Sequence, residues 1–98
     1  MPSKYKGLST GVVGAIGELI VAADLLSKGY EVFRAVSQAA SCDLIVLKAG
    51  ACLRIEVRTN GIDLANERLY PLKKKADAGK QDHFAMVLPS RVVYLPPL

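Results

Sequence analysis

The stretch DLIVLKAGACLRIEVR, residues 43–58, decides the fold. Two β-rich runs, 43–48 and 51–58, flank Ala49-Gly50 and predict an antiparallel hairpin. The connection is either a two-residue turn, in which Ala49 has to accept a positive φ, or a four-residue loop over 48–51. Both place Lys48 opposite Ala51 and, counting outward, Asp43 opposite Glu56. A three-residue loop would instead set Asp43 opposite Val57. Side chains alternate along a strand, so Glu56 and Arg58 share one face while Leu44, Val46, Leu53, Ile55 and Val57 form an apolar one. Cβ atoms of opposed residues lie about 4.5–5.5 Å apart, and like charges there repel. A hard divalent cation such as Mg²⁺ relieves that repulsion, because it binds through one or two carboxylates plus water and phosphate oxygens. The competing explanation is an ordinary pairing of both acids with Arg58 or Arg54 on a solvated face.

Upstream, Ser9 or Thr10 is suited to cap a helix that runs to about Lys28, and Gly29 to close it in the left-handed conformation. Gly11, Gly14 and Gly17 each cost about 1 kcal/mol relative to Ala inside a helix, which predicts a late start or close packing on a neighbouring backbone. The helix is apolar almost all round (Val12, Val13, Ile16, Leu19, Ile20, Leu25, Leu26), so it is expected to be covered on more than one side. Glu18 stands out on it, surrounded at helical spacing by Gly14, Ala15, Val21 and Ala22. Either a metal or a cation meets this carboxylate, or it lies at an exposed helix edge. Residues 30–36 read as a strand, followed by the small-residue loop SQAAS.

Downstream the pattern weakens. Asn60-Gly61 signals a turn, residues 68–72 a short strand, and residues 73–80 a helical turn or loop carrying Lys73, Lys74, Lys75 and Lys80. That basic cluster suits either phosphate contacts or a solvated loop. Residues 83–88 and 91–95 form a last strand pair across Pro89-Ser90. His83 has no local partner and reads as structural or surface. The element order predicts an α/β domain in which an N-terminal helix packs on a mixed sheet.

The bulk properties set limits. Ninety-eight residues allow one domain, here 1–98, and 51% apolar with 22% charged residues describes a folding chain. A net charge of +4 favours polyanions without establishing one as a partner. Cys42, Cys52 and His83 do not make a zinc pattern, and a reduced cysteine pair is expected. The longest nearly apolar run, 19–26, contains Asp24 and is far short of a bilayer, and no secretory cleavage pattern follows the basic N-terminus. No membrane segment and a cytoplasmic location are expected.

GAIGELIVAADLLSKGYEVFRAVSQAASCDLIVLKAGACLRIEVRT, residues 14–59, resembles the N-terminal core of the PD-(D/E)xK nucleases, nearest the branch of archaeal Holliday-junction resolvases and group I intron homing endonucleases. Glu18 on the helix, Gly29 before the first strand, Asp43 opening the second and Glu56-x-Arg58 in the third fall on that family's ordered pattern. The resemblance implies a restriction-endonuclease-like core. It also implies metal-dependent DNA hydrolysis with Mg²⁺, or Mn²⁺ in its place. Asp43 and Glu56 would be metal ligands and Glu18 an auxiliary one. Arg58 departs from the family's Lys: its fork of donors holds phosphate charge well but is not readily deprotonated. A homodimer acting on DNA is expected by analogy with the fold, the apolar Val92, Val93, Leu95 and Leu98 serving either the interface or the core. The alternative is an inactive nuclease-fold module for nucleic-acid binding or assembly.

Overall fold

The computed structural model describes residues 6–37, 39–59, 62–63, 68–69 and 81–98. The Ser9 side chain accepts a hydrogen bond from the Val12 amide at 3.2 Å and starts helix α1, Thr10–Ser27. At its other end Gly29 sits at φ +89°, its amide bonds Leu26 O and the Tyr30 amide bonds Leu25 O, each at 3.1 Å. That pair of bonds is a Schellman closure, which needs the left-handed residue that Gly29 supplies.

Strands β1 (Glu31–Arg34), β2 (Leu44–Lys48), β3 (Ala51–Arg58), β6 (His83–Val87) and β7 (Val92–Leu95) form one sheet in the order β1-β2-β3-β6-β7. Only β3 and β6 run parallel, so the sheet is mixed as expected. Between them β4 (Ile62–Asp63) and β5 (Arg68–Leu69) make a separate antiparallel pair. The strand expected at 68–72 is thus present at its first two residues. Lys73, Lys74, Lys75 and Lys80 lie outside the described residues.

The hairpin turns in two residues, with Ala49 at φ 51° and Gly50 at φ 84°. Lys48 pairs with Ala51 and the register holds to Leu44 opposite Ile55. Both central residues have the positive φ of a type I′ turn, the twist that suits a hairpin even though Ala is not the preferred first residue.

The core lies between α1 and one face of the sheet. Val21 and Leu25 meet Leu44, Val46, Ile55, Ala85, Val87 and Tyr94. A Cβ on Gly17 would stand 2.5 Å from Thr59 Cγ2. Of the two explanations for the helix glycines, close packing applies at Gly17, whereas the helix starts early and the spaces beside Gly11 and Gly14 are open.

The expectation that α1 is covered on more than one side is corrected. Only the 17-21-25 stripe is buried, while Val12, Leu19 and Leu26 are 48–59% exposed. A helix lying on a single sheet face buries one stripe whatever its composition. By length and composition α1 also meets the measure of a membrane span, which a reading of residues 19–26 alone missed. Its Glu18 and Asp24 bond to Arg34 and Tyr94 of the sheet, as expected of a core-facing helix.

Candidate active site

The register places the acidic centre. In antiparallel and parallel pairs alike, opposed side chains share a face, so Leu44, Ile55, Val57, Ala85 and Val87 face α1. Glu56 and Arg58 then project from the other face beside Phe84 and Met86. Arg58 Nη2 stands 3.7 Å from Glu56 Oε2 and its guanidinium lies 5.4 Å from the Phe84 ring centre. Both side chains are about three-quarters covered. An arginine held by a carboxylate and an aromatic face has a defined position from which to meet a phosphate.

Asp43 is not the ladder partner of Glu56. The pairing ends one step earlier, at Leu44, and the Asp43 amide donates to Ile55 O at 3.1 Å. Its carbonyl accepts from the Ala35 amide, and its Oδ2 accepts from the Val57 amide at 2.8 Å. Asp43 thus binds β3 on either side of Glu56 in sequence, through a local break in register of the kind that re-aims a side chain at the end of a strand. Cys42 next to it is buried, and burial pushes its thiol pKa up; Arg54 opposes that, while the Asp43 and Glu56 carboxylates add to it.

Glu18 takes a different partner. Arg34, opposite the buried Leu44 and so on the α1 side of the sheet, donates from Nε to Glu18 Oε1 at 3.0 Å. Of the alternatives for Glu18, the cation is the one present. Glu18, Arg34, Cys42 and Asp43 all line one cleft of about 680 Å³, floored by Gly11 and Gly14 and walled by the loop after β1. Asp43 thus lines this cleft while its Oδ2 is bonded to β3 at the Val57 amide.

Two carboxylates from adjacent strands match what Mg²⁺ takes from proteins, one or two acidic ligands with the remaining positions left to water and phosphate. Asp43 Oδ2 is engaged by an amide, which orients the carboxylate and leaves its other oxygen for such a role. Among the described residues no three His, Cys, Asp or Glu side chains gather as a metal cage, and Glu18 is bonded to Arg34.

Arg34 was missed in the sequence, although its signal is there: a charged residue in phase with the inward-facing Val32 of a short strand. Arg54 bonds Asp82, which accepts from its amide at 2.8 Å and its Nε at 3.3 Å. Asp82 is held below the usual carboxylate range by these bonds. His83 is structural, with Nδ1 donating to Pro96 O at 2.7 Å, since a carbonyl only accepts.

No curated protein matches the chain. Among solved structures it is similar to the bacterial homing endonuclease I-Ssp6803I, with a TM-score of 0.65 and 17% identity over 88% of this chain. The chain spans 66% of that protein's length. At this identity the likeness speaks for the fold, which is the restriction-endonuclease-like one. The PD-(D/E)XK endonuclease family itself matches over residues 8–87, from the start of the helix that carries Glu18 through β6, and the chain belongs to that family.

Proposed function

We propose that this protein is a metal-dependent endonuclease that hydrolyses phosphodiester bonds in DNA. The observation that carries the reading is Asp43 bonded through Oδ2 to the amide of Val57, the residue that follows Glu56 on β3, with Arg58 held 3.7 Å from Glu56. In this reading Asp43 and Glu56 hold Mg²⁺, or Mn²⁺ in its place, and Glu18 is an auxiliary ligand. The bound ion supplies a water of lowered pKa and a counter-charge for the phosphate.

The chain's own residues do the rest. The Val57 amide orients Asp43. Arg58 offers donors to the non-bridging phosphate oxygens as negative charge accumulates on them. It cannot act as the base, since a guanidinium stays protonated. Phe84 and Glu56 keep it from swinging into solvent. Lys73, Lys74, Lys75 and Lys80 would add backbone phosphate contacts and salt dependence. Residues 1–98 would form one domain, cytoplasmic and homodimeric, since a single centre per chain cuts one strand at a time.

The test is cleavage of plasmid and branched DNA in Mg²⁺ and Mn²⁺. Cleavage is expected from the parent and lost in both Asp43→Ala and Glu56→Ala; cleavage that survives both substitutions contradicts the site. A second reading, an inactive DNA-binding or assembly module, is favoured by one observation: Arg58 replaces the family's Lys and already contacts Glu56. It predicts DNA binding without cleavage in either metal.

A further inference from the structure

The geometry points to an exchange of partners at the cleft: Arg34 holds Glu18 until a divalent cation and DNA arrive, and then becomes a phosphate-binding residue, coupling the two binding events. The inference rests on the nuclease reading above and assigns Arg34 a part that the family pattern of acids and Glu-x-Lys does not contain.

Three features carry it. Glu18, Arg34 and Asp43 line the same cleft, so a cation at Asp43 and a phosphate above it both come near the Glu18–Arg34 pair. At about 680 Å³ the cleft has the space of roughly 20 water molecules, enough for a hydrated phosphate. The bond to Glu18 uses Nε, and the Arg34 side chain is 48% exposed, so its Nη groups remain on the cleft as a fork for phosphate oxygens. Ion pairs so exposed shift an equilibrium by no more than about fivefold, so this one exchanges readily.

The charges give the sign of the coupling. Without a metal, a phosphate entering the cleft meets two carboxylates, and among the described lining residues the one cation is bonded to Glu18. When a divalent cation draws on the Glu18 carboxylate, the Arg34 charge turns to the phosphate. Metal therefore tightens DNA binding through this pair, and by linkage DNA tightens metal binding by the same factor. Arg34 reaches the cleft from the α1 side of the sheet, whereas Arg58 projects from the other, so the two arginines have separate parts.

Fluorescence anisotropy of a short labelled DNA duplex, in EDTA and in Ca²⁺, tests the exchange without cleavage. Glu18→Gln removes the charge that holds Arg34 and is expected to tighten binding in EDTA by up to about fivefold. Glu18→Gln combined with Arg34→Ala is expected to lose that gain. In Ca²⁺, Arg34→Ala is expected to lower the salt slope by about 0.9, one phosphate contact. Arg34→Gln serves as a second variant should the alanine unfold the chain. A gain that persists undiminished in the double variant is a bulk charge effect and overturns the exchange, as does no gain in Glu18→Gln. If parental Mg²⁺ cleavage is intact, that failure concerns Arg34 alone; absence of cleavage together with indifference to Asp43→Ala sinks the nuclease reading instead.

Discussion

Replacing Gly17 by Ala tests whether α1 sits where the site requires it. A methyl there would stand 2.5 Å from Thr59 Cγ2, with Val57 Cγ1 at 3.6 Å and Val87 Cγ2 at 3.8 Å. The last two distances are ordinary contacts; the first falls about 1 Å short of carbon–carbon packing. Ala is favoured over Gly inside a helix by about 1 kcal/mol, while overpacking a core costs about 1–3 kcal/mol. Gly17→Ala should therefore range from about neutral to about 2 kcal/mol destabilising. Gly14, three residues earlier on the same helix, has open space where a Cβ would go, so Gly14→Ala should keep its full gain of about 1 kcal/mol. The two variants should differ by about 1–3 kcal/mol in urea unfolding followed by circular dichroism, at about 4–8 °C in Tm per kcal/mol for a chain of this size. Thr59→Ser removes the offending methyl, and in that background Gly17→Ala should stabilise as Gly14→Ala does. If Gly17→Ala raises Tm as much as Gly14→Ala in the parent, α1 does not approach the end of β3 this closely, and the placement of Glu18 beside Asp43 fails with it.

Tyr94 Oη donates to Asp24 Oδ2 at 2.5 Å, and Tyr94→Phe should cost about 1–2 kcal/mol near neutral pH. Burial alone would raise the Asp24 pKa, but the bonds from Tyr94 and Lys28 bring it below its ordinary 3.8. A depressed carboxylate contributes stability above its unfolded pKa and loses it as pH falls through the folded value. The difference between parent and variant in urea midpoints should therefore persist above about pH 4 and shrink below it. Arg58→Ala should lower kcat for DNA cleavage by about 100-fold, the scale of losing one charge-stabilising donor group, while Arg58→Lys stays within about tenfold of the parent. Equal rates in Arg58→Ala and the parent would remove Arg58 from the chemistry. Cys52 is exposed, whereas the Cys42 thiol is buried with a raised pKa. Iodoacetamide should label Cys52 in the native protein and Cys42 only after unfolding, as peptide mass spectrometry would show.

Local signals in the sequence reached far into the fold. The Ser9 cap and the Gly29 closure are each set by a few neighbouring residues, and both ends of α1 fall where those residues place them. The hairpin register followed from counting, because either plausible loop gives the same pairs and the apolar set of β2 and β3 must face the core. What the count missed lies at its end. The ladder breaks at Asp43, since the Asp43 carboxylate bonds the Val57 amide, and a side chain competing for a backbone donor leaves no trace in a period-2 pattern. The burial of α1 was overestimated because hydropathy reports what a face tolerates, not whether another element covers it. The Glu18–Arg34 pair joins residues on different elements, and its geometry depends on how the helix crosses the sheet. Residues 59–82 carried little periodicity to read, and their short β4–β5 pair stands apart from the main sheet.

The central claim is that Asp43 and Glu56 together hold a divalent cation. Isothermal titration of Mn²⁺ into the parent, Asp43→Asn and Glu56→Gln tests it most directly, because each substitution keeps the side chain's shape and removes its charge. Saturable binding in the parent, weakened at least about tenfold in each variant with the Tm retained, is the predicted result. Equal Mn²⁺ binding in all three proteins, or none in the parent, would contradict it.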